Sequence, residues 1–169
     1  MTKLKKLIDD LARTKAPKYS KNPWDFSNSG NVIRRKNLLN YFSKIQKSGI
    51  RTLMVGEAPG YRGCGRTGVP FSSERLILSH PFFHDRRMFR VEDIHEPMAE
   101  MSASIVWRTF DKLDFYPLMW ATYPFHPHKP GNLLSNRAPR PDEILFGRKF
   151  LKLLLDLFDI NHVIAVGRV

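Results

Sequence analysis

The segment that most constrains how this chain can fold is RTLMVGEAPGYRGCGRTGVPFSSE, residues 51–74. Residues 53–55 are apolar in succession, the pattern of a strand covered on both faces rather than one half open to water. That strand runs directly into a loop holding Gly56, Gly60, Gly63, Gly65 and Gly68, with Pro59 and Pro70 between and after them. A buried strand that ends in so much bare backbone fits an open α/β sheet, where ligands collect beyond the carboxyl ends of the strands. Accessible amides in such a loop bind an anion or grip the edge of a heterocycle.

The remaining segments agree with that class. Residues 2–14 read as an amphipathic surface helix, and 15–31 (KAPKYSKNPWDFSNSGN) as an extended arm. In residues 32–49, Ile33, Leu38, Leu39, Phe42 and Ile45 fall near helical spacing, and Gly49 closes the run. SSERLILS predicts a short helix and EPMAEMSASIVWRTFDKL a longer one, with Met98, Met101, Ile105 and Phe110 on its apolar side. YPLMWATYP is a second strand and HVIAVGRV a third. Between them, RPDEILFGRKFLKLLLDLF is the clearest helix, with Pro141 suited to its first turn and Asp142 and Glu143 to its N-terminal dipole. Strand, helix, strand, helix, strand predicts an α/β fold: a three-layer α/β/α sandwich around a short, mostly parallel sheet. With 169 residues the expectation is one domain, 1–169, in which 1–31 forms a basic helix and arm.

Charge narrows the partners. The formal net charge is +12, and residues 1–50 carry twelve Lys/Arg against three Asp/Glu. A basic extension on a nearly neutral body points to a partner with phosphates, the alternative being a solvated basic face. No apolar run approaches the ~18 residues of a membrane span, so no membrane partner is expected, and the charged N-terminus lacks a secretory core. Cys64 is the only cysteine, which rules out an intrachain disulfide and a cysteine-held iron–sulfur cluster and fits a cytoplasmic compartment. The loop has no G-x-x-x-x-G-K-[ST], and its GCGRTG comes seven residues after the strand end, so neither nucleotide fingerprint applies. His126 and His128 have no recognisable further ligands, and no metal is expected.

Four blocks in order resemble the uracil-DNA glycosylase superfamily. GEAPG (56–60) after an apolar strand is similar to its first motif, and GCGRTGVPF (63–71) to the segment that carries an aromatic over the flipped base. PFHPHKPGNLLSNRAPRPDE (124–143) is similar to the region after its second strand, and HVIAVGR (162–168) to its next strand. Together they run from residue 56 to residue 168 in the family's order.

The resemblance implies a base pocket made of Gly56, Ala58, Pro59, Gly60, Tyr61, Phe71 and Ala121. Phe71 would stack on the extruded ring and Tyr61 would exclude a methyl at C5. Glu57 resembles the glutamate of the cluster-bearing branch and is the first catalytic candidate; Glu74 occupies the place where another branch has an acid after the aromatic. A carboxylate there would orient water and stabilise a sugar of oxocarbenium character. The alternative for Glu57 is an ion pair with Arg51, Arg62 or Arg66, and for Glu74 a place at a helix N-terminus. Arg66, His128, Lys129, Arg137 and Arg140 are candidates for the DNA backbone; the alternative for the block 124–143 is an ordinary solvated loop whose prolines start the next helix.

This sequence also departs from the pattern. Ala58 stands where the best-known branches carry an Asp or Asn that handles water, and Ala121 where an Asn reads the base edge. Relatives continue past the third strand into a histidine-bearing loop that this chain does not contain, leaving a sheet edge open. The implied function is hydrolysis of the N-glycosidic bond of uracil or a related deaminated base in DNA, without a cofactor or an obligate protein partner, in the cytoplasm (on the nucleoid if prokaryotic). Two other readings stand beside it: a catalytically inactive nucleic-acid-binding member of the same fold, and a domain binding free nucleotides.

Overall fold

The computed structural model describes residues 2–85 and 87–167. Helix α1, Lys3–Arg13, begins where the Thr2 hydroxyl accepts from the Lys5 N–H, and it buries Leu4, Leu7, Ile8 and Leu11. Within the arm, strand β1 is Ser20–Lys21; helix α2, Asn31–Ser48, then ends at Gly49 with φ 68°. Strand β2, Thr52–Gly56, is followed by the short helices α3 (Cys64–Thr67) and α4 (Glu74–Ser79) and a 3-10 turn at Pro81–Phe83. The order continues α5 (Met101–Leu113), β3 (Leu118–Ala121), β4 (His126–Pro127), α6 (Pro141–Leu157) and β5 (His162–Ala165).

The sheet is all parallel with β2 in the middle, in the order β3-β2-β5. Leu53, Met54 and Val55 are at most 7% exposed, as their uninterrupted apolar run predicts. Gly56 pairs with Ala121 at the carboxyl end, and the hydrogen bonding continues beyond, Thr122 N–H donating to Gly56 O and Tyr123 N–H to Glu57 O. Helices enclose the sheet in the expected three-layer α/β/α sandwich. Phe42 of α2 meets Trp120 of β3 with ring centres 5.7 Å apart and Phe158 at the end of α6 at 5.6 Å. Trp107 of α5 gathers Phe82, Phe83 and Tyr116 around its indole. No helix is long and apolar enough to cross a membrane among the described residues. β5 pairs only with β2 among those residues, and its outer edge is open, with Val163 58% exposed.

Two boundaries differ from the sequence reading. The helix expected from Glu96 begins at Met101, because Met98 is drawn onto α4: its N–H donates to Glu74 Oε2 and its carbonyl accepts from Arg75 N–H. The second and third strands of the sheet are also shorter than the segments expected for them, β3 ending at Ala121 and β5 at Ala165. Arg168 and Val169, the end of the third expected strand, lie outside the described residues.

One buried carboxylate joins the pieces outside the sheet. Glu143, with no exposed side chain, takes both Arg137 Nη atoms at 2.7 Å, the Arg140 N–H at 2.8 Å and the Ser20 hydroxyl at 3.0 Å. Arg137 in turn donates to the carbonyls of Tyr19 and His128. The antiparallel pair β1–β4 is thereby fixed to the start of α6. Burial alone would raise the Glu143 carboxyl; its hydrogen bonds from Arg137, Arg140 N–H and Ser20 outweigh that and hold it at about 2.

Arg137→Met should destabilise the fold by about 3–5 kcal/mol in urea unfolding, because it takes the bidentate partner from a buried carboxylate and leaves only the partly exposed Arg140 guanidinium beside it. Since the folded value lies below the ordinary 4.5, the Glu143 contribution is present above about 4.5 and is lost as pH falls through about 2. This part of the acid limb should disappear in Glu143→Gln. Gly147→Ala should cost about 1–3 kcal/mol or more by the same assay, since a Cβ there would overlap the Thr122 carbonyl oxygen on the chain leaving β3.

Candidate active site

The carboxyl ends of β2 and β3 open onto a cavity of about 210 Å³. That is below the roughly 300–1,000 Å³ usual for drug-sized ligands, and it suits one heterocycle rather than a whole nucleotide. Gly56, Ala58, Pro59, Gly60, Phe71 and Ala121, six of the seven residues expected to bind a base, line it together with Glu57.

Phe71 is held in an unusual state. Its φ is 49°, a left-handed conformation that a bulky side chain adopts only under constraint, at a cost of about 1–3 kcal/mol. The Trp107 indole N–H fixes its carbonyl at 2.7 Å, and the Ser72 and Thr67 hydroxyls close the turn behind it. Its ring lies over the end of β2: a Cβ at Gly56 would stand 2.5 Å from Phe71 Cζ. Gly56 is therefore required by close approach, and the strained backbone presents an aromatic ring to the cavity.

Glu57 follows at the strand end. Its carbonyl is pinned by Tyr123 N–H at 3.0 Å and Thr122 Oγ1 at 2.9 Å, and its carboxylate lies beside Gly167 after β5. Pro59 is tied to the segment 124–143 through His126 Nδ1 at 2.8 Å, while His126 Nε2 faces Leu133 O at 3.2 Å. Burial lowers the His126 pKa below the ordinary histidine value, against the opposing effect of these two carbonyl contacts. No group of three metal-ligating side chains occurs among the described residues.

The other expected site residues are placed elsewhere. Tyr61 is outside the cavity, its N–H on Asn136 Oδ1 at 3.1 Å and Arg62 beside its ring. Glu74 is buried at the start of α4, where Oε2 takes Arg66 Nε at 2.8 Å and the Met98 N–H; it does not line the cavity. Arg66 and Arg137 are thus engaged by internal carboxylates, and His128 is buried with Nδ1 2.9 Å from Lys129 O. Arg140 divides between Asp142 and Glu143 yet keeps 42% of its side chain exposed, and Lys129 is exposed.

Among the lining residues that sequence reasoning missed, Trp24 and Glu100 shape the cavity most directly. Trp24 comes from the arm: its indole N–H donates to Gly68 O at 3.1 Å, and its ring stacks on Trp120 at 5.8 Å and 13°. Only the arm's single tryptophan hinted at a buried anchor. Glu100, just before α5, puts its carboxyl against the glycine loop, and burial pushes it up to about 7 despite a hydrogen bond from Ser102. The pattern offered no signal for it beyond an acid near a helix start.

No family model matches the chain, and no curated protein matches it in sequence. Among solved structures it is similar to wild-type SMUG2 of Pedobacter heparinus, with a TM-score of 0.60 and 13% identity over 99% of this chain and 87% of that one. At that identity the likeness concerns the fold: this chain has an α/β fold of the uracil-DNA glycosylase type.

Proposed function

We propose that this protein is a DNA glycosylase that hydrolyses the N-glycosidic bond of uracil or a related deaminated base. The observation that carries the reading is the strained Phe71 ring held over Gly56 in a cavity of single-heterocycle size, with Glu57 at its wall. A base embedded in a duplex is inaccessible, so an enzyme acting on it must extrude it and hold it by its faces and edges. Phe71 supplies a face, and its constrained backbone orders the ring before the base arrives. As the glycosidic bond lengthens, positive charge grows on the sugar, and a carboxylate beside it lowers that barrier and orients the attacking water. Glu57 takes that part, because Ala58 has no group to hold water and Glu74 is enclosed by Arg66 and Met98. No cofactor enters this chemistry. The excess of cations in the first fifty residues, with Lys129 and Arg140 in the segment 124–143, favours a DNA partner.

A second reading is favoured by Ala58 and Ala121: a nucleic-acid-binding protein that uses the same pocket without bond cleavage. Glu57→Gln separates the two. On a duplex with one deoxyuridine, the variant should lose about 100- to 1,000-fold in single-turnover excision while binding the DNA as before. A wild-type chain that binds the duplex and never releases the base would establish the binding-only reading instead. Raising salt from about 50 to 200 mM should weaken binding about 10- to 100-fold in a fluorescence titration, as expected for a few phosphate contacts.

A further inference from the structure

Glu100 is a carboxyl in the cavity to which the mechanism above gives no task. It is the residue before α5, yet its side chain does not cap that helix. It turns back toward the glycine loop, where a Cβ on Gly60 or on Gly63 would overlap its carboxyl oxygens. Both loop positions are therefore bare where the carboxyl passes. It lines the inner cavity and also the cleft outside it, beside Asn136 and Arg137. It makes no ion pair among the described residues, in contrast to the buried Glu74 and Glu143, each held by arginine.

Ala121 leaves the cavity without a side-chain amide at the end of β3 to recognise the polar edge of a base. We propose that Glu100 reads that edge, and that the substrates are bases with a lactam edge, a ring N–H beside a C=O, uracil and hypoxanthine among them. The inference rests on the cavity being a base pocket. A carboxyl that keeps its proton offers O–H and C=O side by side, the complement of a lactam. Burial favours that form, and the carboxyl titrates at about 7. The titratable and charged groups around it are Glu57 at the end of β2, the Cys64 thiol of α3 with Arg34 behind it, and Arg137 at the outer cleft. Guanine and thymine carry a lactam edge as well, and the same donor–acceptor pair also fits cytosine; any of these in an intact pair is disfavoured by the cost of extrusion, which is smaller for a mispaired base.

The test compares wild type, Glu100→Gln and Glu100→Ala on duplexes with one deoxyuridine or one deoxyinosine, by single-turnover excision across neutral pH. Affinity for a duplex with 2′-fluoro-2′-deoxyuridine, whose glycosidic bond resists cleavage, relative to an undamaged duplex, provides a readout independent of turnover. Wild-type excision should fall as pH rises through about 7, where the proton is lost. Glu100→Gln keeps a donor beside an acceptor and should retain activity without that fall. Glu100→Ala should lose about 10- to 100-fold in both affinity and rate, the cost of leaving a base edge unpaired. Full activity and affinity in Glu100→Ala would overturn the inference and leave the glycosylase reading intact. So would a loss of thermal midpoint alone, with selectivity and pH profile unchanged, since that describes a loop clamp. A wild-type chain that neither cleaves nor prefers the fluorinated duplex would overturn the base-pocket reading and this inference with it.

Discussion

Much of the structure outside the sheet depends on the bidentate contact between Arg137 and Glu143. An isolated charge of either sign would be expensive at that depth. Paired, and completed by the Arg140 N–H and the Ser20 hydroxyl, the carboxylate becomes a junction. It brings together a two-residue strand in the arm, the loop after β3 and the first turn of α6, segments too short or irregular to hold one another. The arm so anchored continues to Asn22, whose amide donates to the carbonyls of Leu11 and Thr14, and to Trp24, which lines the cavity. A contact outside the cavity therefore helps set one of its walls.

Repetition along the chain was legible from the sequence, and long-range encounters were not. Apolar spacing identified β2, β3, β5, α2 and α6, and the succession of elements led to the parallel sheet, because each signal is local and periodic. The start of α5 was misplaced because a buried carboxylate from α4, 24 residues away in sequence, competes for the Met98 backbone. The same distinction applies to the cavity. Gly56, Glu57 and Phe71 lie in one continuous segment and could be read there, whereas Trp24 and Glu100 reach the same space from 32 residues before and 44 residues after Gly56. Arginines proposed for DNA contact illustrate the converse problem: Arg66 and Arg137 look like surface cations in the sequence, and folding gives them internal partners.

The cavity differs from an ordinary gap between packed elements in how it is maintained. Phe71 occupies an unfavourable backbone region although a glycine would be easier there, and the Trp107 indole N–H, 2.7 Å from its carbonyl, holds it in place. The ring is thus fixed by the surrounding fold rather than by a ligand, as expected of a surface that must be ready before its partner arrives. Glu57 and Glu100 approach the same space from different backbone supports, one beside Gly167 and the other beside Gly60 and Gly63. Their environments can therefore be tuned separately.

Cys64 also lines this cavity and is only 3% exposed, in the short helix that follows the loop containing Gly60 and Gly63. Burial raises its thiol pKa, as does the neighbouring Glu100 carboxyl, so in the closed state it has little of the thiolate that reacts with alkylating reagents. Reaction then requires the loop to open. As the chain's only cysteine, it makes the rate of thiol labelling a direct clock for that opening, readable without any engineered probe.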